Sequence, residues 1–167
     1  FDEKKVLINS FILSNFNYCP LVWFFSSAKS LNKIESIQKR AIRFLYNDYA
    51  TSYEDLLEKS GRCTIKVKNI KVLCVEIYKT LNKLNPSFMT DIFKLRTTNR
   101  PVREQYQLNL EIPNANEVEF WGKNLRSFGP KFWNTLPYQI KSSKNLKIFR
   151  SLLKNWNGTN CKNNVCK

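Results

Sequence analysis

Histidine is absent from all 167 residues. That excludes Ser-His-Asp and Cys-His catalysis within the chain, and every zinc site that needs an imidazole. Glycine (four) and proline (six) are scarce, which excludes collagen-like and low-complexity architectures. The longest apolar run, Leu21 to Phe25, is far short of the ~20 residues that span a bilayer, so no membrane partner is expected. Asp2 and Glu3 stand where a secretory signal would carry basic residues. Five cysteines, an odd number without a dense framework, read as reduced thiols of an intracellular protein, nuclear or cytoplasmic. The chain starts at Phe1 and its only methionine is Met89, so it reads as a piece of a longer protein.

Aromatics (12 Phe, 7 Tyr, 4 Trp) and 43% hydrophobic residues supply a core, which excludes global disorder. Lys and Arg number 28 against 13 Asp and Glu, a net charge of +15. Such an excess describes partners, and suits a polyanion such as nucleic acid or an anionic membrane face; of these the RNA or DNA backbone is the expected partner. The asymmetry is greatest from Trp121 to Lys167, where ten Lys and Arg occur without one acid.

The pattern predicts a mainly α protein: a helical bundle over residues 1–95, a smaller basic α+β lobe over 96–156 and a flexible Cys-containing tail over 157–167. Val6, Leu7, Ser10, Phe11 and Ser14 have helical spacing over 3–17. Ser30 is the expected cap of a helix over 31–46, with Ile34, Ile37, Ala41 and Leu45 on its inner face. Ser52 with Asp55 starts a short helix that Gly61 closes. Thr64 opens a long helix to about Leu84 with Ile70, Leu73, Cys74, Ile77 and Leu81 buried, and a short helix follows Pro86. Tyr106 to Ile112 alternates with period two, and with a return over 118–126 predicts one β-hairpin between 105 and 127. Gly129-Pro130 reads as a turn placing proline first in a short helix. Ser143 is the expected cap of a last helix ending at Trp156.

Two helices carry the candidate nucleic-acid contacts. Lys33, Lys39, Arg40 and Arg43 share the first with only Glu35 opposing them; Lys144, Lys147, Arg150 and Lys154 lie on the last, with Lys141 adjacent. Arginine forks match phosphate oxygens, so either face could lie along a backbone. Lys123, Arg126 and Lys131 interleave with Trp121, Phe128, Phe132, Trp133 and Tyr138, a pattern that also serves unpaired bases. Trp133 and Trp23 with Phe24 are expected in the core instead. Glu54, Asp55 and Glu58 read as helix-dipole partners.

Three clusters in series resemble a known family. They are Asn17-Tyr18-Cys19-Pro20 with Trp23; Lys33-Ile34-x-x-Ile37-Gln38-x-Arg40-Ala41-x-Arg43; and Gly129-Pro130-x-x-Trp133-Asn134-x-Leu136-Pro137, followed by a helix with Phe149. Over about residues 5–156 this order is similar to the thumb and post-palm region of non-LTR (LINE-type, jockey-like) retrotransposon reverse transcriptases. The resemblance implies a non-catalytic accessory segment that holds template or target backbone beside the polymerase palm. It implies no cofactor in this chain, Mg²⁺ belonging to the palm. Family members often end in a zinc-knuckle-like tail, where Cys161 and Cys166 would be half a site; two thiolates cannot complete a tetrahedron, so no metal is expected here. A rival reading is a degenerate fragment of the element acting, if at all, as a protein-interaction module.

The only aspartates are Asp2, Asp48, Asp55 and Asp91, and none are adjacent, whereas the family's polymerase chemistry uses an adjacent Asp-Asp pair. The purified chain is expected to incorporate no dNTP in primer extension on an RNA template with Mg²⁺ or Mn²⁺. Incorporation above a mock-purified control refutes that expectation.

Overall fold

A computed structural model describes residues 2–97, 103, 107–113 and 125–156. It is mainly helical and divides into two compact units, Phe1–Asn69 and Ile70–Lys167. Composition placed a boundary at 95/96; packing places one inside a helix. No helix among the described residues is long and apolar enough to cross a membrane.

In the first unit α1 (Asp2–Leu7) passes into a π-helical turn, Ile8–Leu13. The expected stripe is out of phase, for Val6, Leu7 and Phe11 are exposed while Ile8 and Leu13 are buried. The i→i+5 winding of a π-turn brings those two onto one face, a register that a 3.6-residue period misses. They pack with Ala41 and Leu45. Cys19 is exposed with φ 41°, before α2 (Pro20–Trp23), and Phe24 is buried beside it.

Helix α3 spans Ala28–Tyr46. Ser27, not Ser30, is its cap, accepting from the Ser30 amide. Ile42 packs with Leu56 and Leu57 of α4 (Tyr53–Lys59), and α4 has the expected Ser52 cap. That cap is reciprocal: the Asp55 amide donates to Ser52 Oγ, whose hydroxyl donates to Asp55 Oδ2 at 2.7 Å. Gly61, at φ 64°, supplies the left-handed residue that ends the segment.

Helix α5 (Ile65–Leu81) carries the buried residues Ile70, Leu73, Cys74 and Ile77 as expected, while Leu81 is half-buried. In the second unit Tyr78 stacks on Phe149 at 4.3 Å, and Phe149 lies 5.9 Å from Trp133. A 3₁₀ segment, Ser87–Ile92, leads to the irregular stretch 93–97. Helices α6 (Leu125–Thr135), α7 (Tyr138–Lys141) and α8 (Leu146–Asn155) complete the unit.

The expected β-hairpin is not seen among the described residues. No strand occurs among the described residues; Leu110 makes a single antiparallel bridge with Leu95. The end of the expected return strand, Leu125 and Arg126, is the first turn of α6; 114–124 lie outside the described residues. The bridge has the non-hydrogen-bonded form, with Arg96 N donating to Asn109 O and Glu111 N to Lys94 O. The N–H and C=O of Leu110 therefore point away from Leu95. A second strand would satisfy them, but the Asn134 carboxamide does so instead, accepting at 2.8 Å and donating at 2.9 Å.

Pro130 is also not at the start of a helix but inside α6. The clash that keeps a pre-proline residue out of the α region involves its Cβ, and residue 129 is glycine. Gly129 is required for packing as well: a Cβ there would stand 2.6 Å from Phe93 Cε1. Helix α8 is capped by Asn145, two residues later than expected.

Burial separates two leucine-type positions that sequence treated alike. Leu73 is fully buried, so Leu73→Ala is expected to destabilise by about 2–5 kcal/mol. Ile37 is 45% exposed, so Ile37→Ala is expected to stay within about 0.5 kcal/mol. Urea melts of both variants check the contrast.

Candidate nucleic-acid interface

The four cations expected on α3 divide into two kinds. Lys33 and Arg40 are exposed, and their side chains make no hydrogen bond or ion pair among the described residues. Lys39 is half-buried, its ammonium 5.8 Å from the centre of the Tyr53 ring. Arg43 is half-buried and its Nε is enclosed. Glu35, the one acid of α3, does not oppose them. Its carboxylate accepts from Tyr53 OH at 2.5 Å and from the Ile65 amide at 2.9 Å, at the start of α5. Gln38, buried beside it, donates to Tyr53 OH and to Cys63 O. Burial and the adjacent Glu35 carboxylate push the Tyr53 phenol far above its ordinary value, so it remains a donor at all working pH.

Helix α8 shows the cleaner face. Phe149 and Leu153 are buried, while Lys147, Arg150 and Lys154 are exposed at i, i+3 and i+7, one stripe along the helix. Exposed Lys144 precedes them. The helix contains no acid, and its last turn is already cationic, since Lys71 of α5 donates to the Lys154 carbonyl at 2.7 Å. A cation there suits the unpaired carbonyls and negative dipole end of α8. Lys71 was not among the expected residues; only its place in the fold brings it to this end. Leu152, on the same helix, is 40% exposed.

The remaining expected contacts do not form a surface of one sign. Lys123 lies outside the described residues. Arg126 lines a cavity of about 410 Å³ with Asp91, Lys94 and Glu111, so the acid-free run in sequence meets acids in space. Lys131 lies over the Phe128 ring at 5.3 Å. Phe132 and Trp133 are buried, as expected for Trp133, and offer no ring to a base.

Lys141, read as an extra surface cation, is 5% exposed. Its ammonium donates to Asn109 Oδ1 at 2.7 Å, and the Asn134 carbonyl lies 3.4 Å away. Burial without a carboxylate partner lowers its pKa to about 8, and pushes the nearby Cys74 thiol up to about 12. No cluster of three or more metal-ligating side chains occurs among the described residues; Cys161 and Cys166 lie outside them.

Comparison with protein families, with curated proteins and with solved structures finds no match to this chain.

The depressed Lys141 pKa couples stability to pH. Between about 8 and its ordinary 10.5 the unfolded state holds a proton that the folded state lacks, so this group's contribution to stability rises with pH across that window. Cys74 acts oppositely above its ordinary 9.0, because its folded thiol keeps a proton the unfolded chain loses. Comparison with Lys141→Met isolates the lysine: the stability of wild type relative to the variant is expected to increase between pH 8 and 10.5. Parallel curves from denaturant melts at each pH would contradict it.

Proposed function

We propose that the chain is a non-catalytic RNA- or DNA-binding accessory segment of a retroelement reverse transcriptase, working beside the palm of its parent polymerase and contacting template or target backbone. The observation that carries the nucleic-acid reading is the unopposed stripe Lys147, Arg150 and Lys154 on α8, all exposed and on a helix without acid. Lys33 and Arg40 add a second exposed pair once Glu35 is turned inward. Cations so placed displace the counterions of a phosphate backbone and position the strand without reading its bases. The assignment to a retroelement polymerase is supported by the three-cluster resemblance. Its third cluster has a structural use here: Gly129 admits Phe93 closely, and the Trp133 and Asn134 side chains bond the backbone of Leu108 and Leu110.

Binding to labelled RNA and DNA at several salt concentrations tests the reading. For about four neutralised phosphates, log K against log[salt] is expected to fall with a slope of about −3 to −4. The pair Arg150→Glu, Lys154→Glu is expected to flatten it by about two units. Both side chains are exposed, so circular dichroism is expected to match wild type. An unchanged slope in the folded variant refutes the role of α8.

A further inference from the structure

Helix α3 presents a second kind of surface. Lys29, Lys33, Ile37, Arg40 and Phe44 succeed one another at spacings of four, four, three and four residues. That spacing keeps all five on one face, and all five are exposed. The stripe is about 22 Å long at 1.5 Å per residue. Its apolar members are well exposed, Phe44 at 54% and Ile37 at 45%, although both stand on a helix whose other face is a packed core. Lys4 of α1 holds its ammonium 5.3 Å from the Phe44 ring centre. Asp2 and Glu3 precede Lys4 on α1, and α3 contributes no acid to the stripe, since Glu35 is engaged by Tyr53 and Ile65.

We propose that this face is a platform for single-stranded polynucleotide, with Lys29, Lys33 and Arg40 on the phosphates and Phe44, flanked by Ile37, under an unstacked base. The inference rests on the nucleic-acid reading above and specifies the strand form. Charge complementarity selects a polyanion. The exposed ring among the cations selects a single strand, because a duplex keeps its base faces stacked and offers only phosphates and groove edges to a helix. Base stacking on an aromatic side chain tolerates any sequence, and interleaved cations follow the backbone. The Lys4 ammonium, already over the ring, adds to the attraction for a polyanion at that point.

The test uses the full chain with a labelled 15-nucleotide single strand, as RNA and as DNA, and the matching duplexes. Phe44→Ala is expected to weaken single-strand binding about 5- to 150-fold, the range for loss of one stacked base, with the salt slope unchanged and duplex binding unaffected. Phe44→Tyr is expected to retain wild-type affinity, and Arg40→Gln to flatten the slope by about one unit. Circular dichroism and thermal melts confirm that each variant is folded. Wild-type single-strand affinity in folded Phe44→Ala overturns the proposal, as does an equal loss on duplex. Binding to phosphatidylserine vesicles that requires Phe44, with no polynucleotide binding, also overturns it in favour of a membrane surface. If no polynucleotide binds at all, the functional reading above fails with it; if binding persists but ignores Phe44, only this proposal fails.

Discussion

The second unit depends on how two adjacent side chains of α6 grip backbone that belongs to no sheet. Trp133 Nε1 donates to the Leu108 carbonyl at 2.8 Å, and the Asn134 carboxamide takes both the N–H and the C=O of Leu110. Leu110 is 1% exposed, so without Asn134 its two peptide groups would be buried unpaired, at about 1–3 kcal/mol each. The amide of an asparagine has the same donor and acceptor pair as a peptide, and so substitutes for a neighbouring strand. Lys141 is drawn into the same knot through Asn109 and the Asn134 carbonyl. A lysine buried there has no carboxylate, and the cost is expressed in its lowered pKa.

Much of the helical framework was legible, because it depends on periodicity and caps. Ser52 with Asp55, Gly61 and the stripe Ile70, Leu73, Cys74 and Ile77 are local signals, and the fold uses each as read. The failures have a common physical origin in choices made outside the local window. A π-turn changed which residues of 8–13 face inward. Alternation over 106–112 was a fair strand signal, yet a strand needs a partner, and a side chain of α6 supplied one. Pro130 was placed first in a helix but stands inside α6, where Gly129 lacks the Cβ that disfavours helical backbone before a proline and admits Phe93 against the chain.

The candidate site was legible as charge and not as geometry. Sequence counts cations, whereas the fold decides which remain available: Lys39 lies over Tyr53, Arg43 is half-buried, Lys141 is enclosed and Arg126 shares the lining of a cavity with Asp91 and Glu111. The acid-free run from Trp121 to Lys167 overstates the field at Arg126 and understates it at α8, where Lys71 joins from a distant segment. Glu35 is the converse case. It looked like the neutralising charge of α3 and is instead an internal acceptor, which leaves the outward face more cationic than its composition.

These reassignments bear on how the two helices would act on a polyanion. Helix α8 offers cations with a buried aromatic behind them, so its attraction is electrostatic and falls with salt. Helix α3 offers three exposed cations in its stripe, as α8 does, but adds exposed apolar surface among them, and apolar contact with a base is not screened by salt. Each occurs on a separate compact unit. On the proposed reading, the cationic stripe of α8 would hold the backbone of any strand, and the mixed stripe of α3 would favour strands whose bases are free over strands whose bases are paired. Under that proposal the preference would fall to Phe44 and Ile37, residues that a count of Lys and Arg passes over.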